Sequence, residues 1–303
     1  MSMVLDKENR LKLAVQKSGR LTEPSLDLLT RCGLKLSRGK DQLVGYGENM
    51  PLDVLFVRDD DIPDLVQEDV CDLGLMGLNV LEEKRLQLAE RGIGASFETV
   101  RSLDYGRCRL SIAVPDETTY SGPAALANKR IATSYPHILR RFLQSNGVEA
   151  QIVVLSGAVE IAPRLGRAEA ICDLVSTGST LQANHLREVQ TVLDSYAVLI
   201  RTPVALPSIK QDWVERLLMR IDGVQQVRES KYIMLHAPRT ALAEIRRLLP
   251  GSEGPTIIPL DGNPDKVAIH AVCRENVFWE TLESLKKAGA SSLLVLPVEK
   301  MLA

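Results

Sequence analysis

The hydrophobic pattern of the chain alternates between short apolar runs and longer amphipathic segments. The run LKLAVQ predicts a strand over residues 11–16, and PSLDLLTRCG predicts a helix that begins near Pro24 and ends before Gly33. The order returns near residue 130, as strand RIATSYP, helix HILRRFLQSNG and strand AQIVVLSG. The phrases VCDLGLMG and ICDLVSTG echo each other in the two halves, although any α/β protein repeats such phrases. We therefore expect two α/β lobes with parallel sheets, which face each other across a cleft at the carboxyl ends of their strands.

The remainder of the chain predicts a return to the first lobe and then a separate domain. The strand YAVLIRT is followed by the helix DWVERLLMRIDGV, with Asp212 as its cap and Gly223 as its stop. The elements beyond it follow the order βαββαβ, which is the ferredoxin-like arrangement. A unit of this size has a modest core, so it is expected to associate with copies of itself. The expected division is residues 1–105 and 192–224 for the first lobe, 106–191 for the second and 225–303 for the terminal domain.

Composition narrows the class of protein. The chain has 303 residues, of which 45% are hydrophobic and 25% charged, as expected for a globular protein of two or three domains. Its 37 basic and 39 acidic residues leave no net field that would favour nucleic acid or an anionic membrane. The N-terminus lacks an apolar signal core, so we expect a cytoplasmic protein. The five cysteines and four histidines are scattered, which argues against zinc and leaves an oxygen-bound ion carried in with a substrate.

The stretch DLVSTGSTL, residues 173–181, combines one carboxylate with a loop rich in hydroxyl groups. A strand ending at Val175 and a helix beginning near Leu181 would leave unpaired backbone N–H groups, which bind phosphate without a basic side chain. Asp173 would then accept hydrogen bonds from the hydroxyls of a ribose. The alternative is a cluster that only caps the helix, although one cap needs only one hydroxyl. The loop residues are Ser176, Thr177, Gly178, Ser179 and Thr180.

Charged residues also lie at the other expected strand ends. QKSGRLTE places Lys17 and Arg20 after the first strand, where they either bind an anion or form an ordinary exposed loop. RDDDIPDL sets Arg58 before three acids, of which Asp59 or Asp61 could order the water shell of Mg²⁺ or simply favour a helix start. SGAVEIAPR contributes Glu160 and Arg164 at another predicted helix start; a surface ion pair is the alternative there.

Seven stretches occur in one order along nearly the whole chain: AVQKSGRL, GENMPLDVLFVRDDDIP, DLGLMGLNVLEE, RIATSYPHILRRFL, GAVEIAPRLGRAEAICDLVSTGSTL, RESKYIMLHAP and LVLPVEKM. Together they resemble the ATP phosphoribosyltransferase family, which provides the first enzyme of histidine biosynthesis. The resemblance implies catalytic lobes similar to type II periplasmic-binding-protein domains. The terminal βαββαβ unit resembles the regulatory domain of the family's long form. The short form lacks that domain and depends on a separate subunit similar to a histidyl-tRNA synthetase.

The resemblance implies a reaction and assigns roles in it. The family transfers 5-phosphoribosyl from phosphoribosyl pyrophosphate to N1 of ATP, releases pyrophosphate and requires Mg²⁺. Residues 173–181, Leu181 included, match the family's phosphoribosyl pyrophosphate motif, with Asp173 on the ribose hydroxyls and the loop on the 5-phosphate.

Lys17, Arg20 and Arg58 are our candidates for the anionic ends of ATP and pyrophosphate, and Arg164 is a further candidate for substrate binding. Glu160 is the candidate for contacting the reacting ribose or assisting proton loss from the adenine amine.

The resemblance also implies regulation by L-histidine, which in the family binds between terminal domains of different subunits and favours a hexamer over the dimer. Carried onto this chain, the pocket would involve Leu235, His236, Thr256 and Ser292. An ordinary loop or sheet role is the alternative for each, and family members vary at the position of His236.

Three other classes of function fit the residues less well. A solute-binding protein also has two lobes around a cleft, but a periplasmic one usually carries a secretion signal. A phosphoribosyltransferase of the common Rossmann-like type typically has two adjacent acids before its phosphate loop, whereas here Asp173 stands alone. A purely structural protein is the least consistent with hydroxyl and basic loops at strand ends.

Overall fold

The computed structural model describes residues 9–39, 42–226, 230–249, 254–274, 278–299 and 301. The chain forms two compact units, Met1–Val214 and Glu215–Ala303. Within the described ranges, no helix is both long enough and apolar enough to cross a membrane. Residues 275–277, at the expected start of the last helix, lie outside the described residues.

In the described residues of the first unit, twelve strands alternate with helices. The strands are β1 (Leu11–Gln16), β2 (Leu36–Ser37), β3 (Val44–Gly47), β4 (Leu52–Val57), β5 (Leu73–Gly77), β6 (Glu98–Ser102), β7 (Cys108–Pro115), β8 (Arg130–Thr133), β9 (Gln151–Val154), β10 (Ala170–Val175), β11 (Leu186–Ser195) and β12 (Ala197–Arg201). The helices are α1 (Thr22–Arg31), α2 (Ile62–Gln67), α3 (Leu78–Glu90), α4 (Pro136–Ser145), α5 (Ser179–Ala183) and α6 (Ser208–Gln226), the last of which continues past the unit boundary.

Two sheets form the two expected lobes. The first has the order β2-β3-β4-β1-β5-β12-β6, and the second has the order β11-β7-β10-β8-β9. β1 pairs in parallel with β4 and β5, and β8 pairs in parallel with β9 and β10. The functional loops after these strands therefore emerge at one edge of each sheet.

The expectation of purely parallel sheets is wrong, because both sheets are mixed. β12 runs antiparallel to β5 and β6, and β7 runs antiparallel to β10 and β11. The chain passes to the second sheet between β6 and β7 and returns between β11 and β12. Since it enters and leaves at the same end, some strands must run back against their neighbours.

Each lobe has its own hydrophobic core, and one side chain packs on both. Ile62, Met76 and Leu81 are among the fully buried residues of the first core, and Ile131 and Leu139 are among those of the second. Tyr135 is partly buried against both clusters. Burial of these apolar side chains, worth about 1.5–3 kcal/mol each, is the main stabilising term of both lobes.

Helix α6 differs from its predicted bounds. It begins at Ser208, ahead of Asp212, and continues through Gly223 to Gln226, so both predicted end signals are wrong. Pro207 accepts the first-turn N–H of Gln211, and good helix formers follow it. An interior glycine costs about 1 kcal/mol relative to alanine. The buried residues Ile221 and Val224 on either side of Gly223 offset that cost.

The second unit has the predicted βαββαβ order, which confirms the ferredoxin-like part of the fold. Its strands β13 (Ser230–Pro238), β14 (Thr256–Leu260), β15 (Asn263–Arg274) and β16 (Ser291–Pro297) form an antiparallel sheet of order β14-β15-β13-β16. The helices α7 (Leu242–Leu248) and α8 (Phe278–Lys287) pack on one face, where Leu235, Ile245 and Leu285 are fully buried. The other face of the sheet carries exposed apolar side chains.

Candidate active site

The carboxyl edge of the first sheet gathers the predicted basic residues. Lys17 and Arg20 follow β1, Arg58 follows β4, and all three side chains are exposed. Because β1 and β4 are parallel neighbours, these residues lie on the same edge. The backbone N–H of Lys17 donates to the carbonyl of Val57 at 2.7 Å, which ties the two strand ends together.

The loop after β1 is held by its own side chains. The Gln16 side-chain oxygen accepts the N–H of Leu21 at 3.1 Å, and the Thr22 hydroxyl donates to the Gln16 carbonyl at 3.0 Å. Gly19 has a φ of +134°, and a Cβ there would approach the Gln16 amide nitrogen to 2.6 Å. This position therefore requires glycine. The fixed loop directs Arg20, whose guanidinium donates to the Gly106 carbonyl and to Asn79 Oδ1.

The acids after β4 form a short 3₁₀ turn, Asp59–Asp61, that leads into α2. Burial, followed by the charges of Asp59 and Asp61, raises the pKa of Asp60. No group of three or more His, Cys, Asp or Glu side chains gathers into a cage for a metal anywhere in the described ranges.

The hydroxyl loop lies at the carboxyl edge of the second sheet. β10 ends at Val175 as predicted, and the side chains of Ser176, Thr177, Ser179 and Thr180 are exposed while Leu181 is buried. The following helix α5 starts at Ser179, two residues before its predicted start, and has only five residues. A single turn sums few peptide dipoles, so anion binding here would depend on local N–H and hydroxyl donors more than on a helix dipole.

Backbone geometry and one arginine shape this loop. Gly178 has a φ of +83°, a left-handed conformation that favours glycine, and it precedes α5 directly. The Thr177 and Ser179 hydroxyl oxygens are 3.1 Å apart. Arg109 on β7 donates to the Ser176 carbonyl at 3.4 Å and forms a two-pronged ion pair with Glu188 on β11. Sequence reasoning missed Arg109, because it lies far away in the chain and reaches the loop only through sheet pairing.

The structure places Asp173 and Glu160 near each other. Asp173 is on β10, and Glu160 lies in the 3₁₀ turn Val159–Ile161 that follows β9. Burial raises the pKa of Asp173 most; the N–H of Leu174 opposes this shift, and the charge of Glu160 adds to it. Arg164 is exposed further on and, within the described part of the chain, forms no ion pair with either acid. The surface ion pair that was the alternative for Glu160 and Arg164 is therefore not seen.

Tyr135 lies between the carboxyl ends of the strands of the two sheets. The sequence analysis did not single it out. It follows β8 and directly precedes α4. Burial raises its pKa most strongly, followed by the charges of Asp59 from the first lobe and Asp173 from the second. Carboxylates from both predicted halves of the site therefore contribute to the raised pKa of Tyr135. Its signal in the sequence was its place at the carboxyl end of a strand, followed by Pro136 at a helix start.

A hydrogen-bond network continues from Tyr135 into the first lobe. The Asn79 side-chain amide donates to the Tyr135 hydroxyl at 3.0 Å, and its oxygen accepts from Ser195 Oγ at 2.8 Å and from Arg20 Nη2 at 3.3 Å. Asn79 is 1% exposed and Ser195 2% exposed. A buried amide with its partners satisfied is costly to disturb, so this network orders Arg20 relative to Tyr135.

These elements provide two kinds of surface at the carboxyl ends of the strands, one in each lobe. One has exposed cations suited to polyphosphate, and the other has a carboxylate beside a hydroxyl loop suited to a sugar phosphate. Among the described residues of these two sets, no nucleophile is hydrogen-bonded to a base.

Of the residues expected to bind L-histidine, Leu235 and His236 on β13 lie beside Ser292 on the neighbouring β16, whereas Thr256 is on β14 at the other side of the sheet. Leu235 is fully buried in the core, whereas the neighbouring His236 points to the opposite face of β13. Thr256 on β14 and Ser292 on β16 lie on opposite edges of the sheet, about 14 Å apart at the usual strand spacing. Ser292 has a φ of +51° in a β-bulge beside β13.

Comparison with known proteins bears on the whole chain. A family model described as ATP phosphoribosyltransferase (HisG) matches residues 58–223, and one described as the HisG C-terminal domain matches residues 228–300. The ATP phosphoribosyl transferase (HisG:HisZ) complex from Thermotoga maritima has 27% sequence identity and a TM-score of 0.57, over 70% of this chain and 98% of that one.

Two further solved structures have lower similarity. The alkanesulfonate-binding protein SsuA from Xanthomonas axonopodis pv. citri bound to MOPS has 16% identity and a TM-score of 0.45, over 71% of this chain and 74% of that one. XAC2383 from Xanthomonas citri bound to chloride ion has 12% identity and a TM-score of 0.47, over 73% of this chain and 84% of that one. The two family models together confirm the long form, with its C-terminal domain. Since the first model alone spans more than half of the residues, the chain belongs to the ATP phosphoribosyltransferase family, the glycosyltransferases of histidine biosynthesis.

Proposed function

We propose that the chain transfers the 5-phosphoribosyl group of phosphoribosyl pyrophosphate to N1 of ATP and releases pyrophosphate, with L-histidine as inhibitor. Family membership supports the class of reaction. The observation that carries the proposal for the site is the position of Tyr135. Its hydroxyl accepts a hydrogen bond from Asn79 of the first lobe at 3.0 Å, and its pKa is raised by burial and then by the charges of Asp59 and Asp173. The contacts of Tyr135 support a single site that combines the cationic residues of the first lobe with the hydroxyl loop of the second.

Phosphoribosyl pyrophosphate binds to the second lobe in this proposal. Its 5-phosphate accepts hydrogen bonds from the donors of Ser176–Thr180, and Asp173 accepts hydrogen bonds from the ribose hydroxyls. The exposed loop and the left-handed Gly178 support this assignment, because they leave backbone N–H groups accessible to an anion. Arg109 supports the loop from behind through the Ser176 carbonyl.

The chemical step is a displacement at C1 of the ribose. The lone pair of adenine N1 forms the new N1–C1 bond while the C1–O bond breaks. The electron pair of the C1–O bond leaves with pyrophosphate. The ring passes through an oxocarbenium-like state, so positioning and charge stabilisation supply most of the rate. Lys17, Arg20 and Arg58 bind the anionic ends of ATP and pyrophosphate. Glu160 contacts the ribose or accepts the proton that the adenine amine loses after N1 is alkylated.

Mg²⁺ is the expected cofactor, and when bound with pyrophosphate it neutralises charge on the leaving group. Asp59 and Asp61 are the residues that would hold its water shell. The contribution of the chain is to present these acids beside the exposed Arg58, so that a metal–pyrophosphate complex meets both signs of charge.

Regulation and assembly are assigned to the terminal unit. Ile258, Leu294 and Leu296 are 45%, 52% and 54% exposed on the sheet face without helices. This apolar face supports association of copies into the dimer and hexamer expected for the family. Because Thr256 and Ser292 lie on opposite sheet edges, a histidine site that uses both needs a second copy of the domain.

The test is to incubate the purified chain with ATP, phosphoribosyl pyrophosphate and Mg²⁺. Release of pyrophosphate, together with a new product absorbing near the adenine band and suppression by L-histidine, supports the proposal. Binding of both substrates without pyrophosphate would instead favour a binding protein.

A further inference from the structure

Helix α4 starts without a cap of its own. The first N–H groups of a helix have no intrahelical acceptors and need other partners. Tyr135 at the cap position provides no side-chain hydrogen bond to the helix, and Pro136 at its first position has no N–H. The N–H groups of His137 and Ile138 are therefore the first donors that need an acceptor.

That acceptor is a carboxylate from the other lobe. Glu83 on α3 accepts the His137 N–H with Oε1 and the Ile138 N–H with Oε2, both at 2.9 Å. The carboxylate is partly buried and lies at the positive end of α4, where a negative charge is favourable. A side chain of the first lobe thus fixes the start of a helix in the second.

Asn79 and Glu83 act from one face of α3. They are four residues apart, which places them on neighbouring turns of the helix. Asn79 binds the Tyr135 hydroxyl, and Glu83 binds the two N–H groups that follow it. Further along the same helix, Leu86 packs against the core of the second lobe, and Glu90 pairs with Arg140 at 2.6 Å. Residues 135–138 are consequently held at two points by α3.

We propose that Glu83 is a positioning residue of the active site. By capping α4, Glu83 fixes the position of Tyr135. Tyr135 in turn sets the distance between the strand ends of the first sheet, near Asp59, and those of the second sheet, near Asp173. This inference rests on the proposed function, since two substrates must meet between those edges. Glu83 acts through the helix it caps, and no expected substrate group is assigned to it.

The kinetic test compares Glu83→Gln with Glu82→Gln. The glutamine keeps the size of the side chain but can accept only one of the two N–H groups well. Glu82 on the same helix pairs through its side chain with Arg85 at 2.9 Å and Arg141 at 3.6 Å, and within the described residues it accepts no N–H at the start of α4. We expect Glu83→Gln to lower kcat/KM for both substrates by about tenfold or more, and Glu82→Gln to change it by no more than about twofold.

A double variant separates positioning from a general loss of stability. If Glu83 acts through Tyr135, then Glu83→Gln with Tyr135→Phe loses no more activity than the worse single variant. All kinetics are measured on protein shown to be folded by thermal denaturation. Losses that multiply in the double variant, or wild-type kinetics for Glu83→Gln, would overturn the proposal.

Two readouts do not depend on the reaction. Hydrogen exchange at His137 and Ile138 should be faster in Glu83→Gln by about fivefold, as expected for loss of a helix cap. Spin labels on Glu68→Cys and Gln144→Cys, both exposed sites in different lobes, should give a broader distance distribution in Glu83→Gln. The labelled chain needs Cys108 and Cys273, which are partly exposed, replaced by serine. Unchanged distances would overturn the proposal, whereas a wild-type chain that releases no pyrophosphate would overturn the proposed function alone.

Discussion

The Asn79 side-chain amide donates a hydrogen bond to the Tyr135 hydroxyl at 3.0 Å, and this bond joins the first turn of α3 in one lobe to the residue before α4 in the other. Ser195 and Arg20 bind the same amide oxygen. Ser195, the last residue of β11 in the second sheet, and Arg20, a predicted ATP-binding residue, therefore both bind the buried side chain of Asn79.

Replacing Asn79 with alanine should destabilise the first unit. The change removes the partners of Ser195 and Tyr135 in a site that is nearly closed to water, which costs about 1–3 kcal/mol. The free energy of unfolding from urea denaturation measures this loss. Asn146→Ala is the control, because its side chain is exposed and donates to the nearby Phe142 carbonyl of α4. Equal stability of the two variants would contradict the network.

Asp173→Asn should weaken the use of phosphoribosyl pyrophosphate. The amide cannot accept two charge-assisted hydrogen bonds from the ribose, a loss of about 1.5–3 kcal/mol, so kcat/KM for that substrate should fall at least tenfold. The KM for ATP should change much less. Steady-state kinetics with each substrate varied in turn would reveal the contrast, and unchanged kinetics would remove Asp173 from the site.

The same variant should be more stable than the wild type near pH 7. Burial raises the folded-state pKa of Asp173 above its unfolded value, so the folded chain binds the proton more tightly. The contribution of Asp173 to the free energy of unfolding therefore falls as the pH rises from its unfolded-state pKa through its folded-state pKa. It recovers as the pH is lowered again. Asp173→Asn avoids this cost. Thermal denaturation at several pH values should show an advantage at neutral pH that shrinks towards pH 4, while the exposed Asp116→Asn shows none.

Gly178→Ala should raise the KM for phosphoribosyl pyrophosphate. A side chain at a φ of +83° costs about 1–2 kcal/mol, and relief of that strain rotates the loop N–H groups away from the phosphate. Gly147→Ala is a matched control, with a φ of +65° and open space around its Cβ, at the end of α4. Both variants should lose similar stability, but only Gly178→Ala should alter the kinetics. A similar KM change in both would argue against a phosphate loop.

Leu294→Lys should weaken assembly of the chain. Leu294 lies on the open apolar face of the terminal sheet, and burying one leucine contributes about 1.5–3 kcal/mol to an interface. Light scattering across a concentration series should show dissociation at higher concentration than in the wild type. Leu165→Lys, which changes a leucine 65% exposed in the first unit, should leave assembly intact. If neither changes the mass, the face is not an interface.

The sequence predicted the elements well where the signal was local. The bounds of β1 and the order of the terminal domain follow from apolar periodicity, with Gly33 after the first helix. α6 was misjudged because Gly223 is offset by burial on both sides, which no local pattern reveals. The mixed sheets were missed because strand direction depends on where the chain crosses between lobes.

The candidate site was predictable in its loops but not in its connections. Lys17, Arg58 and Asp173 stand at strand ends, and a rule about parallel sheets is enough to find them. Tyr135 and Glu83 are different, since each matters through contacts with a lobe distant in sequence. Their residue types are common at helix starts and on helix faces, so only the folded chain distinguishes them.

The central claim is tested most directly by following phosphorus-31 resonances during incubation of the wild-type chain with ATP, phosphoribosyl pyrophosphate and Mg²⁺. The account predicts one pyrophosphate for each phosphoribosyl pyrophosphate consumed, an equal amount of N1-phosphoribosyl-ATP, and neither product when ATP is omitted. Pyrophosphate released equally well without ATP, or none at all while both substrates bind, would contradict it.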